Sequence, residues 1–214
     1  MDTNFQSAMT ITIVDLNLNN LWSLKGALEH VGARLEITSD VNIIRKAQKL
    51  ILPGLGSFSE GMSKIVDLGL YDVLRKKILN EKVFTLGICL GFQLLFQKST
   101  ELKNTEGLKI FQGKVQKFSE VKEFNEVIPH VGFNTVHVSR GGSLFANLSL
   151  NPVFYFTHSY AVNSAEGISF THKTLHGIEF VSAIEHQNIW GTQFHPEKSQ
   201  QNGLKLLKNF VAAH

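Results

Sequence analysis

Cys89 is the only cysteine in the 214-residue chain. An internal disulfide is thereby excluded, and a reducing cytoplasm is the simplest setting. Proline is scarce, with four residues, and no Pro-rich linker divides the chain. Charge of either sign is thin: 21 Lys and Arg stand against 18 Asp and Glu. The cations are scattered rather than clustered, so no basic stripe suggests nucleic acid; a modest patch for a partner or a phosphorylated metabolite is all they allow. No apolar run approaches the ~18 residues that span a membrane. The first eight residues, MDTNFQSA, have no apolar core and so do not read as a signal peptide. They read as an extension without fixed structure ahead of a single domain at 9–214. Repeats and low-complexity tracts are missing too.

What is present is apolar bulk. Hydrophobic residues make up 43% of the chain, enough for a large core and too much for disorder. The first half alternates two periodicities. TITIVDL (10–16) reads as a buried strand. In the helix expected over 20–32, Leu21, Leu24, Leu28 and Val31 share a face and Gly32 closes it. RLEIT (34–38) is a second strand, followed by a short helix at 41–46. KLILPG (49–54) is the third strand, residues 60–79 a longer helix, KVFTLGI (82–88) the fourth strand, and a further helix starts at Leu90. This order predicts a parallel sheet flanked by helices, with its crevice at the carboxyl ends of the strands. The second half reads as short antiparallel strands: GKVQKF, NTVHV, FYFTHSYAV, ISFTH, IEFVSAIEH and IWGTQF. A final helix is expected over 202–212.

Gly87-Ile88-Cys89-Leu90-Gly91 has the form glycine-x-nucleophile-x-glycine. A sharp strand-to-helix turn of this kind exposes its central residue, and small flanking residues relieve the crowding. The helix start beyond it offers free N–H groups and partial positive charge, which favour a thiolate. The Leu90 N–H stands ready to donate to an oxyanion. An isolated cysteine would read as a small buried hydrophobe; the paired glycines at the junction favour the nucleophile. A thiol nucleophile needs a base, and with nine histidines only position can choose. His195 follows the last strand, in GTQFHPEKS. Pro196 stiffens the exit, and Glu197 can fold back to orient the imidazole. PGLGSF (53–58) ends the third strand. Its glycines allow Leu55 or Gly56 to turn an N–H into a cavity, although Pro-Gly also marks an ordinary turn. No G-K-[ST] follows, so a phosphate loop is disfavoured. His172 and His176 are four apart, but no carboxylate or thiol accompanies them, so neither a metal nor a cofactor is expected.

PGLGSF…GM, GICLGFQLLF, PHVGFN, YFTHSY and GTQFHPEKSQ…GLKLLKNF, in this order and over nearly the whole chain from Met9, resemble the class I, triad-type glutamine amidotransferases. The resemblance is strongest to the glutaminase subunits of imidazole glycerol phosphate synthase. It implies an α/β, flavodoxin-like fold: a mostly parallel central sheet flanked by helices, with an added antiparallel region in the second half. It implies a Cys89–His195–Glu197 triad that hydrolyses L-glutamine through a Cys89 thioester. The oxyanion would be held by Leu90 and the loop of Gly54, Leu55 and Gly56. Gln93 and Glu101 would hold the substrate, with Ser159 and Tyr160 beside its α-carbon groups. It further implies docking on a (β/α)₈-barrel cyclase in histidine biosynthesis, which receives the ammonia. Lys198 and the stretch Pro129, His130, Val131, Gly132, Phe133 and Asn134 would face that partner.

Some positions depart from the family pattern. A Tyr-Gly-x-Gly-Asn turn is replaced by DLNLNNL (15–21), a familiar Trp by Phe133, and an expected SEE by STE, which keeps Glu101. The triad is intact. The alternatives are a paralogous glutaminase feeding a sugar-modifying enzyme of surface polysaccharides, a cysteine hydrolase of another kind, and a non-catalytic binding subunit. Neither a nucleic acid nor a membrane is an expected partner.

Overall fold

A computed structural model of the chain describes residues 9–18 and 21–213. The 1–8 extension, and part of the DLNLNNL loop, lie outside the described residues. The first half lays down β1 (Thr10–Val14), α1 (Trp22–His30), β2 (Arg34–Thr38), α2 (Val41–Ile44), β3 (Lys49–Leu52), α3 (Phe58–Asp67), α4 (Tyr71–Arg75), β4 (Phe84–Ile88) and α5 (Leu90–Leu94). The second half adds β5 (Phe96–Ser99), β6 (Thr105–Glu106), β7 (Phe111–Lys117), β8 (His130–Thr135), β9 (Val153–His158), β10 (Tyr160–Val162), β11 (Phe170–His176), β12 (Ile178–His186), β13 (Ile189–Thr192) and α6 (Gln200–Ala212).

Strands β2, β1, β3, β4 and β13 form a parallel block, in that order across the sheet. From β13 the sheet continues antiparallel into β12 and β10, then to β7, β5 and β6, with β11 paired to β12. β8 and β9 make a separate antiparallel pair. Side-chain alternation along the parallel strands sorts the core into two layers. Ile11, Ile13, Ile51, Leu86 and Ile88 pack under Leu24 and Leu28 of α1 and Leu206, Leu207 and Phe210 of α6. Val14, Leu50 and Leu52 face the other way, against Phe58, Met62 and Ile65 of α3 and Leu74 of α4. Lys49 is buried at the start of β3 and donates to the carbonyls of Phe210 (2.8 Å) and Val211 (3.0 Å), satisfying the open end of α6. Burial pulls its pKa down to about 8. Among the described residues no helix is long and apolar enough to cross a membrane.

The elements differ from the sequence reading in several places; FYFTHSYAV, for one, divides into β9 and β10, which lie in different sheets. The single helix expected over 60–79 is two, because Gly69 takes φ +65° and ends the first of them. The helix from Leu90 lasts barely more than one turn before β5 begins. The strand expected at NTVHV begins earlier, at His130. IWGTQF is not a purely antiparallel strand. Its residues 189–192 pair antiparallel with β12 on one side and parallel with β4 on the other. That last difference matters most, because it sets the chain's late segment beside Cys89.

Candidate active site

Cys89 caps β4 with φ +51°, a left-handed conformation that a non-glycine residue adopts only where its surroundings impose it. Its backbone N–H donates to the Thr192 carbonyl at 2.7 Å, pinning the turn to the end of β13. The flanking glycines are sterically required. A Cβ at Gly91 would stand 1.7 Å from the Leu52 carbonyl oxygen, and one at Gly87 would stand 2.8 Å from the Phe92 Cα. Gly54 is constrained too, since a Cβ there would meet the Leu90 Cβ at 2.6 Å. The loop after β3 and the turn after β4 are thus in backbone contact.

That contact decides the state of the N–H groups expected to serve as oxyanion donors. The Leu90 N–H is not open: it donates to the Gly54 carbonyl at 3.4 Å. Leu55 and Gly56 (φ +106°) continue the loop along the rim of a cavity of about 200 Å³. Cys89, Leu90, Gln93, Glu101, Thr157, His158, Ser159 and Tyr160 complete its wall. Its size suits a small metabolite better than a drug-sized molecule.

His195 comes to Cys89 from the other side. Its backbone N–H donates to the Tyr155 carbonyl at 2.9 Å, and the Ser199 hydroxyl accepts from the Tyr155 N–H and donates to the His195 carbonyl. Pro196 opens a single 3₁₀ turn, Pro196–Lys198, that swings Glu197 back under the imidazole. The Glu197 carboxylate accepts from Nδ1 at 2.7 Å, so Nδ1 carries a proton, and the buried Nε2 is left without a hydrogen-bond partner among the described residues. Burial opposes charge on this imidazole, but the neighbouring Cys89 and Glu197 outweigh it and push its pKa up to about 10. The surroundings of His195 therefore favour the imidazolium.

The amide of Gln93 is fully directed. Its Nε2 donates to the Tyr160 carbonyl (2.9 Å) and to the Gln193 Oε1 (3.0 Å). Both N–H groups are spent, so Gln93 can offer an incoming molecule only an acceptor. Glu101 accepts the Phe58 N–H at 2.6 Å, at the start of α3. Burial raises its pKa, against the pull of that N–H. An acceptor and a carboxylate on one wall suit an ammonium group.

Three residues on or behind this wall escape the sequence reading: Thr157, His158 and Gln193. Gln193 lies two before His195, and that period-two spacing is the available signal. His158 belongs to a directed ladder. The Asn134 amide donates to His130 Nε2 (3.1 Å), His130 Nδ1 donates to His158 Nε2 (3.1 Å), and His158 Nδ1 donates to the Tyr160 carbonyl (2.8 Å). This single arrangement satisfies every group with neutral imidazoles. Burial, reinforced by neighbouring imidazoles, pulls His130 down to about 4 and His158 to about 3.

The stretch expected to meet a partner divides by strand alternation. Pro129, Val131 and Phe133 are exposed, Gly132 and Asn134 are half-buried, and His130 points inward beneath the hairpin. Lys198 lies over the Tyr155 ring and lines a second cavity, of about 210 Å³, with Leu55, Ile88, His195 and Glu197. Leu55 lines both cavities, with Cys89 on the wall of the first and His195 on the wall of the second. His172 and His176 have separate tasks. His172 Nδ1 accepts the Ser139 N–H and its Nε2 faces buried Glu185 at 3.2 Å, whereas His176 Nε2 donates to the Val127 carbonyl. A larger cavity, about 530 Å³, lies by Phe84 and Trp190, at the opposite ends of β4 and β13 from Cys89.

The family described as glutamine amidotransferase class-I matches residues 12–213. A relative from Methanococcus maripaludis, called imidazole glycerol phosphate synthase subunit HisH 1, is 43% identical, over 94% of this chain and 98% of its own length. One of the same description, subunit HisH, from Pyrococcus furiosus is 44% identical, over 94% and 97%. Among solved structures, a putative GMP synthase protein from Thermoplasma acidophilum superposes with a TM-score of 0.72 at 21% identity, covering 96% of this chain and 94% of its own. The glutaminase domain of a Trypanosoma brucei CTPS gives 0.65 at 17% identity, over 96% and 95%. These last two likenesses concern the fold alone.

Proposed function

This chain belongs to the glutamine amidotransferase class-I family, and on that footing we propose that it is the glutaminase subunit of an imidazole glycerol phosphate synthase. It hydrolyses L-glutamine to glutamate and ammonia and hands the ammonia to a partner subunit. The observation that carries this reading is Cys89 at φ +51°, backed by His195 with Glu197 on its Nδ1 and opening on a cavity walled by Gln93 and Glu101.

Glutamine enters with its ammonium toward Glu101 and the Gln93 oxygen. The Cys89 thiolate attacks the side-chain amide carbon, and the C–S bond forms as the carbonyl electrons move onto oxygen. His195, charged by its neighbours, gives the Nε2 proton to the departing nitrogen, and ammonia leaves. Water then loses a proton to His195 and attacks the thioester. Collapse of the second tetrahedral intermediate releases glutamate and returns the thiolate. His195 and Lys198 together line the second cavity, so ammonia departs on that side, toward the exposed Val131 and Phe133. There the subunit meets a (β/α)₈-barrel cyclase, and the work is done in the cytoplasm, where a lone thiol stays reduced.

The oxyanion needs donors that the present conformation withholds. Rotation of the Gly54–Leu55 peptide withdraws the Gly54 carbonyl from the Leu90 N–H and turns the Leu55 N–H toward the same point. One local change thus supplies both donors, each worth about 10²–10³ in rate. The subunit is slow by itself and accelerates when its partner favours the rotated peptide.

The test is glutamate release from L-glutamine by the chain alone and with a histidine-pathway barrel protein carrying its phosphorylated ligand. We expect little turnover alone, a large increase in the complex, and none in either state for Cys89→Ser. Glutamate release that survives Cys89→Ser would end the proposal.

A further inference from the structure

Gln193 stands behind the reaction centre, fully buried and outside the triad. Its backbone N–H donates to the Ser182 carbonyl at 2.8 Å, so its position follows from β12. Its side chain spans the gap between the nucleophile and the substrate wall. The Oε1 accepts from Gln93 (3.0 Å), and the Nε2 donates to the Cys89 sulfur (3.7 Å).

The direction of this bridge is forced. The Tyr160 carbonyl can only accept, so the end of Gln93 that faces it must be the amino end. That same amino group meets Gln193, which must answer with its oxygen. The amino end of Gln193 is therefore left for the sulfur. Turning Gln93 over would set two acceptors against each other at the Tyr160 carbonyl, and turning Gln193 over would set two amino groups against each other, both in a buried place. A buried N–H aimed at sulfur stabilises the thiolate more than the thiol and holds it on the cavity side. The same residue keeps the Gln93 oxygen, rather than its amino group, turned to the substrate.

We propose that Gln193 is a positioning residue of the glutaminase reaction, whose one amide sets both the nucleophilic sulfur and the substrate-facing end of Gln93. This rests on the glutaminase reading above. A residue that only filled space would affect stability and nothing else.

Cys89 is the sole thiol, so alkylation of the whole chain by iodoacetamide reports on it alone, without glutamine or partner. The pH profile of that rate is measured for the parent, Gln193→Met and Gln193→Glu. The Met variant keeps the volume and loses the donor. The Glu variant sets a carboxylate against the sulfur. We expect the half-maximal pH to rise by about one unit in Gln193→Met and further in Gln193→Glu. In the complex, Gln193→Met should raise KM for glutamine as well as lower kcat, because Gln93 is freed to turn. Profiles that superimpose while the melting temperature falls would overturn the proposal; if Gln193→Glu does not fold, Gln193→Met decides alone. Protection of Cys89 by L-glutamine is scored separately in the parent. Its absence counts against the glutaminase reading, whereas the alkylation profiles judge the Gln193–sulfur contact directly.

Discussion

Mild acid should destabilise this protein through two histidines that lie outside the proposed triad. His130 and His158 are buried and neutral, and each must accept a hydrogen bond on one nitrogen to complete the ladder from Asn134 to the Tyr160 carbonyl. An imidazole in the unfolded chain titrates near ~6.5, whereas in the fold these two are held down to about 4 and about 3. Between pH 7 and pH 5 the unfolded chain therefore takes up protons that the native chain refuses. Depressed values of this kind contribute stability above ~6.5 that is lost as the pH falls toward 4 and 3. Each imidazole costs about 2 kcal/mol over that interval, so the pair costs about 4. His195 runs the other way. Its pKa is pushed up to about 10, so its contribution is present below ~6.5 and is lost only as pH climbs toward that value. Over the same interval it returns less than about 1 kcal/mol. A net loss near 3 kcal/mol is a large share of a typical ~5–15 kcal/mol domain stability. Urea denaturation at pH 7 and pH 5 measures it, and the midpoint should fall by about 1–2 M. His158→Gln can still donate to the Tyr160 carbonyl and accept from His130, and it does not titrate. The net loss between the two pH values should fall from about 3 to about 1 kcal/mol, because only His130 then opposes the gain from His195. Equal losses in parent and variant would refute the reasoning, because His158 would then not be a neutral buried member of the ladder.

The remaining predictions concern the triad and its turn. Glu197→Gln keeps a polar partner near His195 Nδ1 but removes the charge that sustains the imidazolium. It should lower kcat of the complex by about 10²–10⁴ with little change in KM for glutamine, read by steady-state glutamate release. Gly91→Ala puts a methyl 1.7 Å from the Leu52 carbonyl oxygen, a clash of backbone with Cβ that no rotamer relieves. It should destabilise the fold by about 3 kcal/mol or more, a drop of about 6–12 °C in melting temperature by calorimetry.

Most of the parallel block is legible in the sequence because its signals are local. β2 runs over the residues its alternating pattern marks, and so does β12 in the antiparallel part of the sheet. The turn at Cys89 is legible because glycines two residues to either side answer to a steric need within that turn and the loop it touches. The helix break at Gly69 is hidden because the apolar spacing carries on past it, and one left-handed glycine then redirects the chain. The 130–134 stretch reads as one face, although strand alternation sends His130 inward and Phe133 outward. Leu90 reads as a ready donor. Whether that N–H is free depends on the peptide at Gly54, far back in the chain, and no pattern around Leu90 reports it.

Composition, periodicity and motif order are thus sufficient for the class of fold and for singling out Cys89, His195 and Glu197 as candidates, since each leaves a mark within a few neighbouring residues. Three things wait on the folded chain: β13 inserted parallel to β4, the Gly54 carbonyl resting on Leu90, and Gln193 bridging Gln93 to the Cys89 sulfur. All three are contacts between segments far apart in the chain. Packing and hydrogen-bond satisfaction select them, and residue spacing carries no trace of the choice.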